Sequence, residues 1–293
     1  MSDLSGNLKF VRHKKRRIRC RRTICNLQFA ILFSLSFLLS TLYCFHNLCG
    51  QESFDYSQYA YVLKEYVKDG LVNYKSLKKN PAGLYAYLNQ IASLTPQYLE
   101  RMSEKEKIAF YINAYNACTL KCIIDYYPIK SIQQIEDAKD KSIFLIAHRD
   151  FSLSSLEHDM LRMQFKEPRV HFALIYGAKG SGRLRNHPYR GKKLDMMLDE
   201  DCGRFIRDLR NVSLDRPHNI LYLSVLFAWF KDDFNNEAEF VRRYLPKQDA
   251  DYIARHRPGI RYLHFDWSLN DVEKKPEVKK KNWLGKLFNK IFK

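Results

Sequence analysis

Residues 170–185 constrain the fold of this chain more than any other stretch. From Val170 to Tyr176 the residues are almost all apolar or aromatic, which is the pattern of a strand covered on both faces. Three glycines follow, at positions 177, 180 and 182. Because glycine permits backbone conformations that other residues avoid, the pattern predicts a buried strand that ends in a loop, with Ser181 at the tip of that loop.

The positive charge of the chain is concentrated at its two ends. The formal net charge is +18. Residues 1–22 hold nine Lys and Arg against Asp3, and residues 274–293 hold eight Lys against Glu277, so the ends carry +15 of that charge. The remaining +3 on the middle of the chain is too little to favour a nucleic-acid-binding domain. We therefore expect no nucleic-acid partner.

A membrane-directed segment follows the basic N-terminus. Leu27–Phe45 has no charged residue, and as a helix rising about 1.5 Å per residue it is long enough to cross a bilayer core of roughly 30 Å. Because basic flanks tend to stay in the cytoplasm, residues from about 50 onward are expected on the non-cytoplasmic side of a single-pass anchor. Gly50 before Gln51 leaves a cleaved signal open, which would make the chain secreted or periplasmic.

The last residues have the pattern of an amphipathic helix. Six large apolar side chains fall on one helical stripe, at positions 283, 284, 287, 288, 291 and 292, and lysines lie mostly elsewhere. This pattern is typical of a helix that lies in a membrane interface, with anionic lipid as its partner. The alternative is a terminal helix that docks on the protein itself.

The seven cysteines do not form the pattern of a disulfide framework. They lie at positions 20, 25, 44, 49, 118, 122 and 202. Four lie in or beside the membrane segment, and Cys118 and Cys122 are one helical turn apart, which is poor geometry for a bridge. No pair has a supporting set at structural-zinc spacing. We expect no metal and no cofactor.

The chain divides into a basic N-terminus (1–22), a transmembrane or signal segment (23–50), one domain (51–270) and the basic tail (271–293). Within the domain the sequence predicts helices over 56–67, 82–91, 104–127, 194–209, 224–234 and 237–244, a further capped helix that begins near 152–155, and strands over 170–176, 221–223 and 260–265. The expected class is therefore α+β: a mostly helical single domain with a small β-sheet, preceded by one transmembrane or signal helix.

Several polar residues interrupt this apolar pattern. Asn113 and Asn116 are three residues apart on one face of the long helix, and a buried amide must find hydrogen-bond partners. They either orient a catalytic group or pin neighbouring loops. His158 is a candidate general base with Glu157 as its orienting partner. Ser154 stands three residues before Glu157, however, which is also the spacing of a helix capping box.

Taken in order, these segments resemble the DUF547 family. The likeness covers roughly residues 56–269 and is carried by AFYINAYNACTLKCIIDYYPIKSI, SLSSLEHDMLR, PRVHFALIYGAKGSGRLRNHPY, FAWFKDDF and FDWSLN. The family is largely uncharacterised biochemically, and its pattern of Asn, Glu-His and Cys implies papain-like or transglutaminase-like thiol chemistry. The positions that match the family pattern are Asn113, Asn116, Glu157, His158, His171, Leu184 and Arg185.

The chain departs from this family at its two cysteines. Where the family reads approximately C-A-S-x-S-C-P-x-L-R, this chain has Tyr176 and Ser181 at the cysteine positions and Gly182 in place of the proline. A serine hydroxyl needs a well-aligned base and an oxyanion hole, whereas a thiol is more readily ionised. Exchange of Cys for Ser therefore usually disables a thiol enzyme.

Three hypotheses follow. In the first, the domain is non-catalytic and binds an anionic small molecule or peptide through Lys179, Arg183 and Arg185 in the glycine-rich loop, with His171 beside them. In the second, Ser181 is the nucleophile of an acyl-transfer hydrolase or peptidase. His158 is then the base, and Glu157, Asn113 or Asn116 orients it. In the third, the protein is a structural component of the cell envelope.

Overall fold

The computed structural model describes residues 54–141 and 143–272. The predicted membrane segment, the basic N-terminus and all but the first two residues of the predicted tail lie outside these ranges. Among the described residues, none of the helices combines the length and apolar character that crossing a bilayer requires.

A long central helix organises the domain. The helix begins after Ser103, whose hydroxyl accepts a hydrogen bond from the Glu106 backbone N–H (3.3 Å), and it ends one residue before the Tyr127–Pro128 peptide. A proline disfavours helical backbone at the residue before it, and the sequence therefore predicts that the helix ends here. From Ile108 to Ile124 nearly every side chain is buried, and the helix therefore forms the centre of the core.

Short helices and two antiparallel hairpins make up the N-terminal half of the domain. The elements of the N-terminal half are α1 (Ser57–Tyr66), β1 (Val67–Lys68), β2 (Leu71–Val72), α2 (Tyr74–Lys79), α3 (Ala82–Ala92), α4 (Pro96–Arg101), the central α5 (Glu104–Tyr126), α6 (Ala138–Lys141), β3 (Ile143–Ile146) and β4 (Arg149–Ser152). β1 pairs with β2 and β3 pairs with β4, both antiparallel.

The C-terminal half carries a three-stranded sheet. Its elements are α7 (Leu153–Ser155), a π-helical turn (Leu156–Arg162), α8 (Met163–Phe165), α9 (Leu194–Ile206), β5 (Val212–Asp215), β6 (Ile220–Ser224), α10 (Val225–Trp229), α11 (Lys231–Phe234), α12 (Glu237–Arg242), α13 (Lys247–His256) and β7 (Gly259–Leu263). β6 lies in the middle, antiparallel to β5 and parallel to β7. The parallel pairing requires a long crossover, which α10–α13 supply. The class is mostly helical α+β, with small separate sheets.

The predicted strand over 170–176 is wrong. Pro168–Phe172 forms a 3₁₀ helix, and the chain then runs without a strand partner to Tyr176. The Asn116 side chain stands in for a neighbouring strand: its amide N–H donates to the Ala173 carbonyl (3.0 Å), and its carbonyl accepts from the Ile175 N–H (2.9 Å). The apolar run reflects burial on all sides, which periodicity alone cannot distinguish from a strand.

Candidate functional site

The two central asparagines hold loops in place. Asn116 fixes the 173–175 segment as described above. Asn113 makes the same pair of bonds to Tyr189, donating to its carbonyl and accepting from its backbone N–H, both at 2.9 Å. Each amide is buried, and its N–H and C=O groups both bond to backbone atoms of a loop. The geometry therefore matches the loop-pinning interpretation of both residues.

Glu157 lies buried on the π-helical turn and faces Tyr176. The Tyr176 hydroxyl donates a hydrogen bond to Glu157, and the Lys139 ammonium lies 3.5 Å from the second carboxyl oxygen. The same ammonium is 4.4 Å from the centre of the Tyr176 ring. Burial, followed by the adjacent Glu157, raises the pKa of Tyr176 well above its usual value, so the phenol keeps the proton that it donates.

The capping-box interpretation of Glu157 is wrong. The helix cap is Ser152, whose hydroxyl accepts from the Ser155 N–H (3.0 Å), while the Ser155 hydroxyl accepts from the Ser152 N–H (2.9 Å). Glu157 is therefore not needed at the helix start. It comes to face Tyr176 through the π-helical turn, a geometry that often occurs at functional sites.

Two histidines lie beside this pair and share one salt bridge. Arg162 binds Asp233 with two nitrogens, at 2.6 and 2.9 Å, and it also lies 3.0 Å from the Nδ1 atom of His158. His171 is buried, its Nε2 atom is 2.7 Å from Asp233, and its ring stacks on Phe230 at 3.8 Å between centroids. The polar cluster, as we call it, comprises Lys139, Glu157, His158, Arg162, His171, Tyr176 and Asp233. Its acidic groups each contact a cation, but the buried Glu157 Oε2 and His171 Nδ1 atoms have no hydrogen-bond partner among the described residues.

The pKa values of His171 and Asp233 follow from the same contacts. Burial lowers the pKa of His171 even though Asp233 opposes the shift. The pKa of Asp233 is also lowered: burial opposes this shift, but the hydrogen bonds from His171 and Arg162 outweigh it. Arg162 already balances the Asp233 charge, so the state we favour is a neutral His171 that donates its Nε2 proton to an ionised Asp233.

Ser181 makes its hydrogen bonds within its own loop. Its hydroxyl donates to the Ala178 carbonyl at 2.6 Å and lies 3.2 Å from the Gly182 carbonyl oxygen. Within the described part of the chain, no hydrogen bond joins Ser181 to His158. Gly182 packs so closely on Phe172 that an added Cβ would come within 1.9 Å of the Phe172 carbonyl oxygen, which fixes the loop in this position.

The guanidinium of Arg185 is bonded to other residues of the domain and is not free. It is buried, and it donates to Asp201 (2.7 Å), Glu200 (2.8 Å) and the Met197 carbonyl (2.6 Å). Burial raises the pKa of Asp201, although Arg185 opposes that shift. Arg185 therefore fastens the glycine-rich loop to α9, and this use of its donors argues against the expected contact with a ligand.

Exposed arginines surround the outer side of the loop. The arginine surface, as we call it, consists of Arg183, Arg204, Arg207 and Arg210, with Lys179 at its edge. Cavities of about 430 and 290 Å³ lie along it, and the second is also lined by Ser181. Three carboxylates adjoin this surface: Asp208, which contacts Arg183 (3.7 Å) and Arg210 (2.6 Å), and Glu200 and Asp201, which Arg185 already binds.

Sequence reasoning found Lys179 and Arg183 but missed the other three arginines of this surface. Arg204, Arg207 and Arg210 recur every three residues at the end of α9 and just beyond it, which was a usable pattern. Their position beside the glycine-rich loop depends on long-range packing. Gly70 contributes to that packing, because its backbone (φ +83°) lies where a Cβ would be 2.8 Å from the Arg183 Cβ.

The fold and the site define a mostly helical α+β domain with a closed polar cluster and an exposed arginine surface. The family model of DUF547, a protein family of unknown function, matches residues 99–206. This match supports a DUF547 domain over that part of the chain. The match includes Glu157, Tyr176, Ser181 and Arg185. Neither a curated protein nor a solved structure matches the chain. Across residues 54–141 and 143–272, no cluster of three His, Cys, Asp or Glu side chains could hold a metal ion.

Proposed function

We propose that this protein is a non-catalytic DUF547 domain that binds an anionic small molecule or peptide on its arginine surface. The observation that carries the proposal is the position of Ser181. Its hydroxyl is bonded to backbone carbonyl groups, has no histidine partner among the residues that the structure describes, and lies beside exposed arginines. A ligand that enters there meets cations and no activated nucleophile.

The charge and geometry of the arginine surface support an anionic ligand. Guanidinium groups bind carboxylate and phosphate oxygens in pairs of parallel hydrogen bonds. One guanidinium N–H of Arg207 donates to the Tyr244 carbonyl (3.2 Å), and the guanidinium of Arg183 lies 3.7 Å from the Asp208 carboxylate. Guanidinium N–H groups of these two arginines therefore remain available to a ligand. Because both side chains are partly exposed, removing water from them on binding costs little free energy.

The alternative is a Ser181–His158 hydrolase, and no specific contact favours it. His158 is turned to Arg162, and Glu157 is engaged by Tyr176. A general base must lie within a hydrogen bond, or one water, of the proton that it removes. Tyr176, at the other family cysteine position, is a buried phenol with a raised pKa and is poorly suited as a nucleophile.

The location of the protein is a second part of the proposal. The charge-free segment after nine basic residues supports a single-pass anchor with the domain on the non-cytoplasmic side, and the basic tail supports contact with anionic lipid. We expect the full chain to fractionate with membranes. A reporter fused at residue 293 that is active only in the cytoplasm would contradict this orientation.

The binding test uses inorganic phosphate as the probe and the full chain. Arg183→Gln should weaken phosphate binding several-fold, measured by isothermal titration calorimetry at low salt. Arg216→Gln is the matched control, because the two side chains are similarly exposed (48% and 46%) and each has one carboxylate partner. Equal binding by both variants and the unmodified chain would contradict the proposal.

A further inference from the structure

A groove with apolar walls lies on another part of the domain. It is enclosed by α3, the end of α5 and strand β3, and its volume is about 610 Å³. Ile143 and Leu145 of β3 line it and are 56% and 46% exposed, although both are large apolar residues. Adjoining apolar side chains left open to water in this way commonly mark a binding site.

The rim of the groove is electrically balanced. Lys121 pairs with Asp125, and Lys141 pairs with Glu136 at 2.9 Å. These four residues line the groove together with the apolar wall. Because the rim charges neutralise each other, the groove favours an apolar side-chain face over a charged small ligand. An amphipathic helix laid into a groove is a common form of such recognition.

The described chain ends close to this groove. The carboxylate of Asp271 accepts a hydrogen bond from the Tyr127 hydroxyl at 2.9 Å, and Tyr127 directly follows Tyr126, which lines the groove. The ten residues 273–282 come next in the sequence. Such a linker spans about 33–36 Å when fully extended.

We propose that the groove binds the C-terminal segment 283–292 of the same chain. This segment carries a stripe of six apolar side chains, which matches the apolar wall around Leu145. A short tether gives the segment an effective concentration on the order of millimolar at the groove, so weak contacts suffice for occupancy. Docking in the groove competes with binding of the same stripe to lipid. The proposal goes beyond the anion site and does not depend on it.

The test places a photoreactive p-benzoylphenylalanine at Leu145 in the full chain, held in phosphatidylcholine nanodiscs. After illumination, peptide mapping by mass spectrometry should find adducts within residues 283–292. Leu209→p-benzoylphenylalanine is the control, because Leu209 is 78% exposed and lies next to Arg210 of the arginine surface. The yield at position 145 should exceed the control about tenfold, as tethering to one site implies.

A second variant separates docking from random collision. Leu284→Asp combined with Phe288→Asp changes only the tail and should reduce the adduct at position 145 to the control yield. Equal tail yields from positions 145 and 209, or adducts to lipid without adducts to the tail, would overturn the proposal. Mixing ¹⁴N and ¹⁵N chains gives the remaining decision: adducts of mixed isotope would show that the groove holds a second copy and would also overturn it.

Discussion

The polar cluster and the arginine surface both include residues of the segment 176–183, but the two regions differ in how their charges are satisfied. Tyr176 turns inward and bonds to Glu157, while Arg183, seven residues later, turns outward and keeps only a long contact to a carboxylate. Buried polar groups must be paired because leaving one unpaired costs free energy, whereas exposed charges carry no such obligation. The inner region is therefore suited to stability and the outer region to binding.

The largest expected effect separates the two regions through neighbouring arginines. Arg185→Ala leaves Asp201 buried without its main partner, and we expect a loss of about 3–5 kcal/mol in the free energy of unfolding. Arg183→Ala should cost less than about 0.5 kcal/mol, because the residue is exposed. Urea unfolding followed by circular dichroism measures both. Similar losses from the two variants would remove the distinction.

A smaller loss is expected from one of the loop clamps. Asn116→Ala removes both hydrogen bonds to the 173–175 segment and leaves a buried N–H and a carbonyl unpaired, which should cost about 2–4 kcal/mol. Asn89→Ala is the control, because Asn89 is exposed on α3. If Asn116→Ala unfolds at the same urea concentration as the control, the loop-pinning role is wrong.

The contact at the family's first cysteine position should contribute less. Tyr176→Phe removes the hydroxyl that bonds to Glu157, and we expect about 1–3 kcal/mol of destabilisation with no change in phosphate affinity. The exposed Tyr126 provides the control substitution, Tyr126→Phe. A fall in phosphate affinity in the Tyr176 variant alone would mean that the polar cluster and the arginine surface are coupled, and would contradict their independence.

The pH dependence of stability isolates His171. Because burial lowers its pKa below the ordinary 6.5, the unfolded chain takes up this proton more readily than the folded chain. The stabilisation is therefore complete above pH 6.5 and is lost as the pH falls below it. We expect the urea concentration at the unfolding midpoint to fall as the pH is lowered from 7 to 5. This fall should be smaller in His171→Gln than in His218→Gln, the exposed control. Equal falls in both variants would reject this assignment.

The sequence predicts the helices better than the site. The central helix and α3 follow from capping, proline and periodicity, which are local effects. The 170–176 segment was assigned to a strand because an apolar run does not reveal that a single side chain, Asn116, satisfies its backbone. The helix predicted over 224–234 is divided at Phe230, and the two N-terminal hairpins and α13 were not predicted because their short or polar sequences lack a clear apolar period.

The candidate residues divide in the same way. Asn113 and Asn116 are visible in the sequence as polar residues inside an apolar run, and the structure buries both, together with Glu157 and His171, whose burial the sequence left open. Their partners were not. Lys139, Arg162 and Asp233 lie in segments distant along the chain, and only tertiary packing brings them to Glu157 and His171.

Chemical labelling of Ser181 shows whether the domain is non-catalytic. The full chain is treated with a serine-directed fluorophosphonate, with a known serine hydrolase treated in parallel, and intact mass and peptide maps are recorded. We expect an unmodified Ser181, because its hydroxyl donates to the Ala178 carbonyl and has no hydrogen bond to His158. A fluorophosphonate adduct on Ser181 that disappears in a folded His158→Ala variant would contradict it.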